Sequence, residues 1–132
     1  MQLLPSQTNE TSLRHLGMEA IQLVSFLDFK GLADQFGYSL AFDRDPSEAI
    51  KTDYEASIAE IKASPVTTGQ AARSVTVKYF SPNTSNLFAV VECFAPILGA
   101  SGILLELIIT TKGQMKFISL EQISNLTVSA QL

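Results

Sequence analysis

The chain opens with ten residues that show no apolar periodicity, then changes character. Leu13, Leu16, Ala20, Ile21, Val24 and Leu27 recur at three- and four-residue steps, which predicts a helix over residues 12–27. Thr11 or Ser12 is positioned to cap it. Asp28 can cap a second helix whose stripe runs Phe29, Leu32, Ala33, Phe36 and Leu40, with Gly37 as a stop or a close-packing point. Asp43-Arg44-Asp45-Pro46 breaks the pattern. Asp45 then reads as a cap, Pro46 as the first helical residue and Glu48 as the third, a capping box with proline in its preferred place. Ala49, Ile50, Asp53 or Tyr54, Ser57, Ile58 and Ile61 complete a third helix over 46–62.

Residues 62–71 are rich in Ser, Thr, Gly and Pro and read as a loop. Beyond it the period falls from 3.6 to 2. Val75, Val77 and Tyr79 alternate with Ser74, Thr76 and Lys78, predicting a strand over 73–80. Further strands are expected at 87–95, 103–111 and 115–120, the last extending as far as Ile123. SPNTSN (81–86), a loop centred on Gly99 and a two-residue turn at Lys112-Gly113 separate them. The expectation is an α+β domain: three N-terminal helices packed on a curved antiparallel sheet of about four strands. Residues 1–11 read as a flexible leader and 12–132 as a single domain.

The stretches DFKGLADQFGYSLAF and LLELIITTKGQMKFISLEQI, with this element order and length, resemble nuclear transport factor 2-like proteins. The resemblance covers the chain from about residue 12 and is one of layout rather than of a short motif. It implies a cystatin-like α+β cone. That fold hosts steroid isomerases, dehydratases, polyketide cyclases and transport adaptors, so it does not by itself carry a function. Helix-borne Tyr and Asp can point into such a cone. The steroid isomerases of the fold use a carboxylate base with an oxyanion hole of Tyr and protonated Asp, a set that cannot be placed residue by residue here.

A turn centred on Gly99 puts Glu92 directly opposite Glu106. One face of the sheet then carries Val75, Val77, Tyr79, Phe88, Val90, Glu92, Phe94, Leu104, Glu106, Ile108, Met115 and Phe117. The other carries Leu87, Ala89, Val91, Cys93, Ile103, Leu105, Leu107, Ile109, Ile118 and Leu120, with Thr76 and Lys78 towards the edge. Both are apolar, whereas a sheet with one wet face alternates apolar and polar residues. The helices can cover one face, and a second copy is the economical cover for the other, so a homodimer through the sheet is expected. The first face is expected to line the cone, with Tyr38, Tyr54, Tyr79, Phe88, Glu92, Phe94, Glu106 and Phe117 as candidate pocket residues and a small apolar ligand as a possible occupant.

Facing carboxylates repel, so one Glu could hold its proton, each could pair with a base such as Arg73 or Arg14, or the strands could open to solvent. The first arrangement suits acid–base chemistry in an isomerase or dehydratase, with Tyr38 or Tyr54 as donor. An isolated Glu in a strand is more often salt-bridged or at a pocket mouth than catalytic. Asp53 is as readily a solvated helix residue, and Tyr54 a core ring with its hydroxyl at the edge. The reading retained is a dimeric module without a catalytic residue, binding a small apolar ligand or a protein.

Composition narrows this picture. The chain has 132 residues, 46% apolar and 17% charged, with a net charge of −4. Its nine Lys and Arg are scattered and never adjacent, which argues against nucleic acid and against an anionic membrane. A single cysteine, Cys93, lies in an apolar run and reads as a buried hydrophobe; the single histidine, His15, cannot support the usual zinc sets. No metal or cofactor is expected. The glycines of Gly99-Ala100-Ser101-Gly102 lack a following Lys-Ser/Thr and read as a hairpin loop. Asn9, Asn83 and Asn125 head Asn-x-Ser/Thr triplets, but MQLLPSQTNETS lacks the charged start and apolar centre of an export signal, so the expected location is cytoplasmic.

Overall fold

The computed structural model describes residues 1–65 and 69–128. The predicted loop at 62–71 and the domain's end at 132 therefore fall partly outside the described residues. Three helices, α1 (Glu10–Ser25), α2 (Phe29–Phe36) and α3 (Pro46–Ala63), pack on one face of a curled antiparallel sheet. The sheet has five strands in the order β1-β5-β4-β3-β2: β1 (Gln2–Leu3), β2 (Ser74–Tyr79), β3 (Leu87–Leu98), β4 (Ser101–Lys112) and β5 (Met115–Thr127).

Local chemistry explains the helix boundaries. Asn9, rather than Thr11 or Ser12, caps α1, its side-chain oxygen accepting from the Ser12 amide at 2.8 Å. Asp28 accepts from the Gly31 amide at 2.9 Å and Asp45 from the Glu48 amide at 3.1 Å, as their positions in the sequence predict. Gly37 ends α2 with a φ of +69°, a backbone angle that a side chain resists.

Segment 1–11 is built into the fold. Gln2 and Leu3 pair with Phe117 and Lys116 as the fifth strand, Leu3 is buried, and a 3₁₀ turn over Pro5–Gln7 leads into α1. A two-residue strand has no readable periodicity; what orders it is the free edge of β5.

The β3–β4 register is the predicted one: Glu92 opposes Glu106, Val90 opposes Ile108 and Phe94 opposes Leu104. The β4–β5 turn sits one residue later than expected. Lys112 pairs with Met115, and Gly113-Gln114 forms the turn, with Gly113 at φ +65°. The partners slip by two positions, so the faces of β5 are unchanged.

Two assignments are corrected. Val75 pairs with Cys93 and Tyr79 with Ala89, so Val75, Val77 and Tyr79 lie on the Cys93 face, and Thr76 and Lys78 lie with Glu92. The 81–86 turn has the parity opposite to the one assumed, and one residue of parity exchanges every side chain of a strand. A bulge between Leu87 and Ala89 puts Leu87 opposite Thr110, on the Glu106 face, and moves Phe88 to the helical side. It stacks edge-on against Tyr79, at 5.5 Å between ring centroids, and packs against the core.

The helices cover the face of Ala89, Val91, Cys93, Ile103, Leu105, Leu107, Ile109, Ile118 and Leu120, all fully buried. Leu13, Ile21, Leu32 and Ile50 fill the space between, each contributing about 1.5–3 kcal/mol by leaving water. Gly17 lets α1 press closely on the sheet: a Cβ there would stand 2.7 Å from Val75 Cγ1 and 3.2 Å from Cys93 Sγ. The face expected to line the cone is thus the outer one, and the interior under the helices is packed with side chains.

Candidate functional site

The eight residues expected to share one pocket fall in three places. Tyr38 and Tyr54 are on the helical side. Tyr79 and Phe88 form a rim at one end of the sheet, still on the helical side. Glu92, Phe94, Glu106 and Phe117 alternate outward, away from the helices.

On the helical side, Tyr38 follows Gly37, pairs through its backbone with Leu120 and is buried. Its hydroxyl donates to Asp53 Oδ2 at 2.5 Å. Arg44 braces the other carboxylate oxygen at 3.4 Å and donates to the Leu40 and Ala41 carbonyls at 2.6 and 3.2 Å. Burial, then the Asp53 hydrogen bond and charge, push the Tyr38 hydroxyl well above its ordinary range. This hydroxyl stays protonated and ties α3 to the segment after α2. Tyr54 packs its ring on Phe29, centroids 5.3 Å apart, and burial raises its hydroxyl too. Cys93 is fully buried against α1, and burial with the Glu92 charge lifts its thiol to about 12, so it is no nucleophile near neutral pH.

The outer face has a different chemistry. Lys78 Nζ reaches Glu92 Oε1 at 2.7 Å, and that hydrogen bond and charge raise the Lys78 pKa. Neither Arg73 nor Arg14, named as bases that could pair with the glutamates, is the partner. Arg73 contacts the Ser25 hydroxyl, and Arg14 pairs with Glu10 while capping the edge carbonyl of Val75 at 2.6 Å. Around the Lys78–Glu92 pair lie Val90, Leu104 and Ile108, and Phe117 lies further along the same face opposite Thr110, all half-buried. Phe94 lies over Gly102, where a Cβ would stand 2.7 Å from its Cζ, and is buried although outside the main core.

At the rim, a cleft of about 320 Å³ opens between the 81–86 turn and the sheet, lined by Phe80, Pro82, Leu87, Phe88, Thr111 and Lys116 among others. Lys116 Nζ sits 4.6 Å above the Phe88 ring. Of the rim residues only Tyr79 and Phe88 were candidates from sequence. Lys116 was missed because its companions come from three strands and its own stretch reads as an ordinary strand.

Among the described residues no cluster of His, Cys, Asp or Glu could hold a metal ion, and no helix is long and apolar enough to cross a membrane. No protein-family model, curated protein or solved structure matches the chain.

Proposed function

We propose that this chain is a non-catalytic interaction module of the nuclear transport factor 2-like kind, a cytoplasmic homodimer assembled through the outer face of its sheet. The observation that carries the reading is the run of half-buried Val90, Leu104, Ile108 and Phe117 on the face that no helix covers. β3 and β4 are 12 residues long each. With β2 at 6 residues and β5 at 13, the four strands, spaced about 4.8 Å apart and rising about 3.3 Å per residue, offer a footprint of ~680 Å². A standard interface needs about 800 Å² from each partner.

Electrostatics sets the orientation. Near the middle of this surface each copy places two facing carboxylates and the Lys78 ammonium. A two-fold axis along β3 lays β2 of one copy over β4 of the other, bringing Lys78 within reach of the partner's Glu106. The carboxylate row then has two cations from two copies. The reading favours a protein partner over a ligand in the cone, because side chains fill the space under the helices. The isomerase alternative gains no support: Glu92 and Glu106 lie on the face opposite Tyr38 and Tyr54, so no single cavity gathers base and donor.

Sedimentation equilibrium tests the proposal. A dimer mass at micromolar concentration is expected, with Lys78→Glu weakening association and Lys78→Glu/Glu106→Lys restoring it. A monomer at all soluble concentrations, or a Lys78→Glu protein as dimeric as wild type, overturns it.

A further inference from the structure

The rim cleft has the composition of a binding site for a small amphipathic carboxylate. Phe80, Pro82, Leu87 and Phe88 give it apolar lining, and Thr111 and Lys116 line it as well. Lys116 is the basic residue here, and among the described residues no carboxylate lies within 4.0 Å of it; its one close partner is the Phe88 ring. No Asp or Glu lines the cleft. In a chain of net charge −4, that is a local reversal of sign.

The cleft is pre-formed. Asn83 stitches the turn through the carbonyls of Ser81 and Leu87 and the amides of Ser85 and Leu87, at 2.9–3.1 Å. Asn86, held at φ +56°, accepts from the Thr111 amide at 2.8 Å and so joins the turn to β4. Phe80 stays 43% exposed beside Phe88, an apolar surface that the fold itself leaves uncovered. The volume of about 320 Å³ is at the lower end for ligand pockets and suits a body of roughly ten heavy atoms.

We propose that this cleft binds small aryl or short-chain alkyl carboxylates, with the carboxylate on Lys116 and Thr111 and the apolar body against Phe80 and Phe88. An ammonium over an aromatic face is held in place by the ring, so little side-chain entropy is lost when the anion arrives. A second hollow of about 330 Å³ lies beyond Lys116, lined by Gln2, Leu3, Pro5 and Thr8 among others. It shares the cation but has a more polar lining, which makes the Phe88 side the seat of the apolar group. Phe88, Thr111 and Lys116 lie on the helical side of the sheet at its rim, apart from Lys78, Glu92 and Glu106 of the proposed dimer surface.

The test is an NMR titration of the full chain, following backbone amides, with 4-phenylbutyrate and with the uncharged 4-phenylbutan-1-ol. Saturable shifts at Asn86, Phe88, Thr111 and Lys116 are expected with the acid, and about ten-fold weaker binding with the alcohol. Lys116→Met should weaken the acid by a similar factor and Lys116→Arg should retain it, both with wild-type spectra elsewhere. Equal binding of acid and alcohol, unaltered affinity in Lys116→Met, shifts centred on another surface, or no saturable shift each overturn the proposal.

Discussion

Tyr38 joins two parts of the chain that the sequence keeps apart, since its hydroxyl donates to a carboxylate on α3 from the segment after α2. A hydrogen bond to a charged acceptor contributes about 1.5–3 kcal/mol, so Tyr38→Phe is expected to cost on that order in urea unfolding. The pH dependence has a definite sign. Tyr38 is raised in the folded state from 10.0, so the unfolded chain loses this proton first as pH rises. Its stabilisation is complete below pH 10 and declines above it, and the alkaline fall in stability should be shallower in Tyr38→Phe. Cys93 behaves in the same sense, its thiol raised from 9.0 to about 12. The folded chain at pH 8 should resist alkylation by iodoacetamide and become reactive only on unfolding; fast labelling of the native protein would contradict the burial.

At the scale of elements, α1 depends on a residue with no side chain. Ala at position 17 gains up to about 1 kcal/mol in helix propensity. It also drives a methyl to 2.7 Å from the stiff Val75 Cγ1, and overpacking of this kind costs about 1–3 kcal/mol. Gly17→Ala is therefore expected to lower the thermal midpoint, and Gly17→Ala/Val75→Ala to recover part of the loss. The helices were legible in the sequence because their signals are local: Asp28 and Asp45 cap where they stand, and Gly37 stops α2. The longer strands were legible for the same reason. β1 was not, because Gln2 and Leu3 become a strand only when β5 offers them an edge. The faces of β2 and Phe88 were not either, since each turns on a single residue of parity, in the 81–86 turn and in the bulge at Phe88.

For the whole molecule, the outer face is the feature on which the proposed assembly depends. Ile108 sits at its centre, half-buried and opposite Val90. Ile108→Lys should leave the helical circular dichroism unchanged and shift the sedimentation mass from dimer to monomer. Wild-type association in that variant would place any contact elsewhere. The candidate pocket was the least legible part of the chain. The eight residues proposed from the pattern divide among the helical side, the rim and the outer face, and the rim cleft needs Phe80, Phe88, Thr111 and Lys116 to converge from three strands and a turn.

The sequence by itself determined the order and type of the main elements, the α+β class and the facing of Glu92 and Glu106, because capping, periodicity and a tight hairpin act over a few residues. Only the tertiary structure decided which apolar face the helices would cover. Both faces of the central strands could have served. The choice went to the face where Gly17 admits close approach and where Ala89, Val91 and Cys93 present small side chains to α1, leaving the glutamates and the larger Phe94 and Phe117 on the outside.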